Sequence, residues 1–500
     1  MNRALKRISI AILAMFLLLL INVNYLQGFE TTSLASRPFN IRAVSADNQY
    51  QRGDIQTADG VKIAGTTPSN DIYKYVRTYA NGPVYAPVTG YDSIYSSTGV
   101  EHAEDALLSG TGSQLAFRNF IDMITNKPQK GATVQVTINS KAQQAAYQGL
   151  QSVLQGTGRV GGVVALNPST GAILAMASYP SYNPSKLATH NGTALNAYDE
   201  QLLRQKPSPL LNNATQTTLP PGSTFKIVTS SAWFAQAATR NPNSMVDSPQ
   251  VLTLPQTTNK LHNDNNEVCG NAGATGQTTI LWAFSQSCDT TFGKLGMDLG
   301  GGALKNQADA FGMNANLSIP GVTVAPSQYV TPPSLPLTAF SAIGQFSDTV
   351  TPLQEAMFSA AIANGGTLMS PYLIQQVTAS DLSVVNSTQP KQLSQAVSPA
   401  VANNVKQMMV AVTQQPQGTA FAFNANNEGG IVIAGKTGTA QNALNGASPN
   451  PDAVFTAFAP ADNPKIAVGV ILQGAGYGAQ AAAPVAVAVI KAYLATLGIR

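Results

Sequence analysis

Charge is scarce in this chain. Asp, Glu, Lys and Arg make up only 10% of 500 residues, well below the roughly 25% of ordinary soluble domains. The net charge is +4, and Arg3, Lys6 and Arg7 supply three of those charges. What remains is nearly neutral, with no basic stripe of the kind that binds nucleic acid. Histidine is almost absent: His102, His190 and His262 are the whole supply. No His-Glu-x-x-His and no paired cysteine spacing suggests a metal centre. No Gly-x-Ser-x-Gly elbow accompanies the histidines, so a His-based triad is not supported and they read as loop or solvated residues. There are two cysteines, Cys269 and Cys288. There are no internal repeats and few low-complexity stretches.

Long apolar runs are equally rare, with one exception. After the basic tip the chain is apolar from Ile8 to about Leu26. Nineteen helical residues span roughly 28 Å, enough to cross the hydrocarbon core of a bilayer. The basic flank puts residues 1–7 in the cytoplasm and everything after the run outside. Asn22 and Asn24 weaken the outer end, as in a signal peptide. However, Gln27, Gly28 and Phe29 follow, with no small-x-small cleavage site, which favours an uncleaved anchor over residues 8–27. An even cysteine count outside the cytoplasm favours one Cys269–Cys288 disulfide, the alternative being two buried thiols.

Secondary-structure signals divide the rest. Residues 28–159 read as a small α+β module beside the membrane. It holds a strand near Arg52–Ile55 with an Asp59-Gly60 turn, a β-like piece over 73–79, an alternating strand over 133–138 and a helix over 141–154. From residue 160, strands 161–166 and 172–177 form a hairpin around the turn residues Asn167–Gly171. Helices are predicted over 223–238, 278–284, 291–299 and 353–364. Strands follow over 430–435, 453–459 and 466–473, and an apolar helix over 484–497 ends the chain. Helices between strands at both ends of the segment fit an α+β fold, an antiparallel sheet packed by helices.

Two short motifs carry the chemistry. Lys226 is the sole lysine with a serine three residues before it, in Ser223-Thr224-Phe225-Lys226. The breaker Pro220-Pro221-Gly222 precedes it. Far downstream stands the single Lys436-Thr437-Gly438. A serine hydroxyl is a weak nucleophile and needs a base. Positions i and i+3 share a helix face, so Lys226 is within reach of Ser223. A helix start offers free N–H groups to a developing oxyanion. A lysine acts as a base only if burial or a second cation lowers its pKa, and Lys436 is that cation. Either motif alone is weak. In this order, at a helix start and a strand end, they indicate a serine enzyme acylated by peptides or β-lactams. Between them, Ser287-Cys288-Asp289 has Ser-x-Asn spacing with Asp in the last place, and Ser287 can relay a proton. A literal Ser181-Tyr182-Asn183 precedes the nucleophile in a Pro-rich loop and reads as structural.

With these residues in hand, the chain resembles the class B penicillin-binding proteins. The likeness extends to Leu219–Lys226, Lys436-Thr437-Gly438-Thr439-Ala440, Ile343-Gly344-Gln345 and Thr351-Pro352-Leu353-Gln354. Asn167–Gly171, Ser178–Tyr182 and Arg52-Gly53-Asp54-Ile55 share it. A short N-terminal module, no C-terminal appendage and two cysteines resemble the actinobacterial branch of the class.

The resemblance implies a serine β-lactamase/transpeptidase-like fold over 160–500 and a non-catalytic pedestal over 28–159. It implies a D,D-transpeptidase without a cofactor that cross-links peptidoglycan stem peptides through an acyl-enzyme on Ser223, which β-lactams also acylate. The implied catalytic residues are Ser223, Lys226, Ser287, Asp289 and Lys436. Lys436, Thr437, Gly438 and Thr439 line the carboxylate site, and the backbone N–H groups of Ser223 and Thr439 form the oxyanion hole. Partners would be a separate glycosyltransferase and division or elongation proteins. Two positions depart from the family pattern: Asp289, and Asn213 within Asn212-Asn213-Ala214, where an arginine is common. Asp289 can hold a lysine as an acceptor, which would raise that lysine's pKa and oppose its use as a base.

Other functions fit less well. A β-lactamase needs a deacylating base. Only Glu355, in a predicted core helix, and Glu428, in a Gly/Asn loop, lie between Asp289 and Lys436 as glutamates. A D,D-carboxypeptidase shares the motifs. A non-catalytic scaffold would leave intact catalytic lysines unexplained, and a β-lactam sensor would have only about seven cytoplasmic residues.

Overall fold

A computed structural model describes residues 3–28, 50–115, 130–270, 276–423, 430–441 and 450–499, with isolated positions 30, 124, 125 and 272. Glu428 and the stretch 31–49 lie outside the described residues.

The first helix runs Arg3–Gly28. Its span Lys6–Leu26 has mean hydropathy 2.2 and buries none of its surface. An isolated helix this apolar fits a membrane anchor. The second long apolar helix, Gly478–Thr496, has one face in the core instead. Its sequence suggested a start at Pro484, because proline suits a first turn. The helix begins six residues earlier and carries Pro484 inside. Packing decides this: a Cβ at Gly478 would run into the carbonyls of Val454 and Gly438, so the first turn seats directly on the central sheet.

That sheet is antiparallel, in the order Ala434–Ala440, Asp452–Ala459, Ile466–Leu472, Gly161–Leu166, Ile173–Tyr179. Residues of Asp452–Ala459 and Ile466–Leu472 are all buried. The cause is cover on both faces. Helices Gly478–Thr496 and Ser140–Leu154 pack on the sheet, as does Pro352–Ala363. Strands covered twice read as continuous apolar runs, not as alternation. Pro352–Ala363 is buried around its whole circumference, with Gln354, Glu355 and Ser359 its polar residues. Thr351 caps it, accepting from the Gln354 N–H, and Pro352 fills its first turn. Gly469 lets this helix approach, since a Cβ there would strike Ala356 N and Pro352 O.

A second sheet holds the membrane-proximal module. Its six strands run Val384–Ser387, Ile374–Thr378, Thr133–Val136, Ile55–Gln56, Lys62–Pro68, Tyr75–Tyr79. Two of them come from beyond residue 370, so this sheet joins chain from both sides of residue 160. The helix Ser140–Leu154, capped by the Asn139 side chain, packs on Ile173–Tyr179 in the other sheet. The Arg52-Gly53-Asp54 segment is explained by burial. Arg52 and Arg77 both bond to Glu101, at 2.8 and 2.6 Å, and all three are buried. Burial alone would raise the Glu101 carboxyl, but Arg77 and Arg52 hold it below its ordinary value. Gly53 is needed because any Cβ would collide with the Ala132 carbonyl.

Replacing Gly469 by alanine should force helix and sheet apart. We expect a loss of about 1–3 kcal/mol, visible as a lower thermal midpoint in calorimetry with the fold retained.

Candidate active site

The predicted helix 223–238 begins differently. Gly222–Phe225 is a 3₁₀ turn and the α-helix runs Lys226–Ala235. Gly222, at φ 56°, sets the turn against the neighbouring strand: a Cβ there would come within 2.8 Å of Thr439 O and 3.3 Å of Thr439 N. Its N–H donates to Gly344 O at 3.1 Å, and Gln345 Nε2 donates to Thr439 O at 3.0 Å. Ser223 is half-buried, while Lys226 and Lys436 are fully buried. The predicted strand 430–435 is also displaced. It runs Ala434–Ala440, so Lys436-Thr437-Gly438 sits mid-strand, paired with Val454–Thr456. A glycine-bearing segment is poor strand material alone. The cross-strand ladder overrides that preference.

Ser287 occupies the centre. The helix Ile280–Ser285 ends in a Schellman turn, with Ser287 N–H donating to Phe284 O and Cys288 N–H to Ala283 O. Glycine usually takes the left-handed position of this turn. Here Ser287 takes it at φ 64°. A non-glycine residue there is strained, a feature common at functional sites. Cys288 is bonded to Cys269, with Cα atoms 5.8 Å apart, so the bridge read from cysteine count is present. Asp289 opens the next helix, Asp289–Leu299. The disulfide thus pins the three-residue link that aims Ser287 and Asp289.

Both lysines converge on this link. Lys226 Nζ donates to Ser287 O at 2.6 Å, to Asp289 Oδ1 at 2.6 Å and to Ser287 Oγ at 3.2 Å. Lys436 Nζ donates to Ser287 Oγ at 2.7 Å and to Thr437 O at 3.0 Å. Phe292 and Phe284 each lie 5.5 Å from Lys226 and Lys436 Nζ respectively. Burial lowers the Lys226 pKa despite the opposing charge of Asp289. Asp289 does raise this pKa, as its acceptor role implied, but desolvation outweighs the ion pair and the net direction is down. Lys436 falls further, well below its ordinary value, through burial and then through the Lys226 charge. All three Lys226 donors are occupied by Ser287 and Asp289, so no hydrogen bond joins it to Ser223 Oγ, contrary to the expectation from i, i+3 spacing. Asp289 and the Ser287 carbonyl draw Nζ aside.

Sequence reasoning missed several supports. Thr419 Oγ1 lies 2.7 Å from Thr437 Oγ1, and the Thr419 N–H donates to Ser285 O. The Gln345 side chain holds the Thr439 carbonyl, a role its motif alone did not reveal. Glu355 is buried, as a core-helix residue, yet it bonds to Thr224 beside the nucleophile. Asn213 is buried and bonds to Ser178 Oγ and Tyr179 O, a purely structural use. Ser181 donates to Pro83 O, and Asn183 caps the turn Pro184–Lys186, so this early Ser-x-Asn is structural. His190 bonds to Asp71 and His102 to Ser97, away from these residues.

Opening the Cys269–Cys288 bridge with Cys269→Ser should lower stability by about 3 kcal/mol in the chain-entropy model. The check is urea unfolding of both proteins without reductant.

Comparison with known proteins follows the same lines. Residues 161–491 match the penicillin binding protein transpeptidase domain, and residues 52–134 match the penicillin binding protein A dimerisation domain. The chain is 40% identical to the peptidoglycan D,D-transpeptidase PbpA of Mycolicibacterium smegmatis and 38% identical to that of Mycobacterium tuberculosis, with 99% of each chain covered. Its structure is similar to penicillin-binding protein A from M. tuberculosis solved as a ceftriaxone acyl-enzyme complex. The TM-score is 0.83 at 36% identity, over 90% of this chain and 100% of that one. Sequence motifs, fold and relatives agree: the chain belongs to the penicillin-binding protein transpeptidase family.

Proposed function

We propose that this protein is a serine D,D-transpeptidase that cross-links peptidoglycan stem peptides and is acylated by β-lactams at Ser223. The observation that carries the reading is the pair of buried lysines sharing Ser287 Oγ, beside a serine at the start of a helical segment. Nothing in an ordinary hydrophobic core calls for two buried cations in one place. Their desolvation cost is retained where it serves to lower a pKa.

The chemistry divides among these residues. Ser287 Oγ bridges the two amines, so when Lys436 is neutral a proton passes from Lys226 Nζ to Ser287 Oγ as Ser287 gives its own to the Lys436 Nζ lone pair, and Lys436 becomes the cation. Lys226 is then neutral. It exchanges its Asp289 bond for one with Ser223 Oγ, a contact that tightens only with substrate bound. Ser223 Oγ loses its proton to Lys226 and attacks the penultimate D-Ala carbonyl. The oxyanion is held by the N–H groups of Ser223 and Thr439. The C–N bond breaks, the departing D-Ala amine takes up the proton that Lys226 received from Ser223, and an ester on Ser223 remains. The amine of a second stem attacks that ester, forms the cross-link and restores the serine hydroxyl. Lys436, Thr437 and Thr439 bind the substrate's terminal carboxylate. Gly438 lets the strand approach the Ser223 turn, since a Cβ there would come within 2.7 Å of Pro221 O.

In the cell, the helix Arg3–Gly28 holds the protein in the membrane, with its basic tip inside and residues after 28 outside, where peptidoglycan is assembled. Residues 28–159 serve as the pedestal, and a separate glycosyltransferase supplies the glycan strands. Partners in division or elongation would dock on the same side of the membrane.

Labelling with a fluorescent penicillin tests the reading. The parent should be acylated and Ser223→Ala should not; an unlabelled parent, or a labelled Ser223→Ala, overturns it. Asp289→Asn tests the lysine tuning. Asp289 raises the pKa of both lysines, so removing its charge lowers them further. A base is active when neutral, so the acid limb of the acylation-rate profile should move to lower pH, with acylation preserved.

A further inference from the structure

Glu355 lies in the first turn of Pro352–Ala363 and is completely buried. Its Oε1 is 2.7 Å from Thr224 Oγ1, while Oε2 has no hydrogen-bond partner among the described residues. Thr224 Oγ1 is also 2.9 Å from Pro221 O. Proton counting constrains this trio. A hydroxyl carries one proton, and a carbonyl oxygen can only accept. If the Thr224 proton serves Pro221 O, the contact with Glu355 must use a proton on the carboxyl. The chain then runs from Glu355 O–H to Thr224 Oγ and from Thr224 O–H to Pro221 O, satisfying every donor. An ionised Glu355 would bury a charge with one oxygen unpartnered, and Thr224 would have to abandon either Pro221 or Glu355.

The position of this chain gives it consequence. Pro221 and Thr224 bracket Gly222-Ser223. The Pro221 carbonyl and Thr224 Cγ2 are the nearest atoms to a Cβ at Gly438, at 2.7 and 3.1 Å, so the turn is wedged against the Lys-Thr-Gly strand. The backbone of Glu355 grips the same strand pair from behind. Thr456 Oγ1 donates to Glu355 O at 2.5 Å, and Thr456 pairs with Lys436 across the ladder.

We propose that Glu355 is a positioning residue for acylation, fixing the turn that carries Ser223 through the hydrogen-bonded chain Glu355–Thr224–Pro221. The inference rests on Ser223 as the acylated nucleophile. Charged groups on the facing elements are Lys226, Lys436, Asp452 on the neighbouring strand and Lys406 on the helix Pro399–Gln414. None of them bonds to Glu355. Burial is the largest influence and pushes its carboxyl up to about 8. The acid is therefore neutral at pH 7 and ionises above about 8. Ionisation removes the O–H donor and loosens the turn, so the alkaline side of the acylation profile should decline.

Three proteins test this: the parent, Glu355→Gln and Glu355→Leu, each reacted with fluorescent penicillin from pH 6 to 9.5. Glutamine keeps an N–H donor at this position and does not titrate. At pH 7 Glu355→Leu should acylate at least about tenfold more slowly, and Glu355→Gln should recover most of that loss. Between pH 7 and 9 the parent should lose about tenfold relative to Glu355→Gln, the fraction expected for a group titrating near 8. The lysines are common to both proteins and cancel in this ratio. Parent and Glu355→Gln profiles that coincide overturn the proposal, as does a folded Glu355→Leu that acylates at the parent rate. Should Glu355→Leu not fold, the ratio of profiles decides by itself. A parent that is not acylated at all instead sinks the transpeptidase reading, so the two failures are distinct.

Discussion

Two ammonium-bearing side chains buried on one serine hydroxyl are the constraint around which the site is built. Lys226 and Lys436 are both fully buried, so bulk solvent does little to stabilise their charge. Each burial lowers its pKa, and the charge of Lys226 lowers that of Lys436 further. Among the described residues the one carboxylate bonded to the pair, Asp289, engages Lys226 alone. The two amines are thus made unequal by a single ion pair. The more charged one lies three residues from the nucleophile, and the more neutral one lies on the neighbouring strand. Their shared acceptor, Ser287 Oγ, is what allows a proton to move between them.

Much of the surrounding structure keeps that arrangement in place. Ser287 sits in a left-handed conformation that an isolated chain would avoid. It is held there by the Schellman bonds of the preceding helix and by the Cys269–Cys288 bridge one residue on. Lys436 is held by a strand paired along its whole length. The Ser223 turn is held by Gly344 O, which accepts from the Gly222 N–H, and by Glu355, which bonds to Thr224, both from distant parts of the chain. The central helix Pro352–Ala363 presses on the sheet from one side and reaches the nucleophile turn with Glu355. A site that must bury charge needs such support, since a mobile setting would admit water and restore ordinary pKa values.

Asp289 deserves a physical account as a departure from the family pattern. An asparagine there would donate from its amide and carry no charge. The carboxylate only accepts, and at 2.6 Å from Lys226 it stabilises the charged amine. Burial still dominates, so the substitution moderates the depressed pKa without restoring it. The ion pair also explains why Lys226 turns toward Ser287 and Asp289.

The element types of the transpeptidase half were legible from periodicity: the hairpin 161–179, the helix 352–363 and the strands 452–472 follow from apolar runs bounded by turn residues. The candidate residues Ser223, Lys226, Ser287, Asp289 and Lys436 were legible from residue type and order, and the structure joins the last four by hydrogen bonds. Local sequence could not place the start of the last helix, the 3₁₀ turn at Ser223 or the strand through Lys436-Thr437-Gly438. In each case glycine and proline gave a local preference that long-range pairing overrode. Nor could it join strands 374–387 to the membrane-proximal sheet. The direction of Lys226 and the contact of Glu355 with Thr224 depend on side chains 63 and 131 residues away. Residue identity by itself determined which groups can do chemistry here. Only tertiary structure decided their protonation and aim, because burial and hydrogen-bond partners, not sequence spacing, set a pKa.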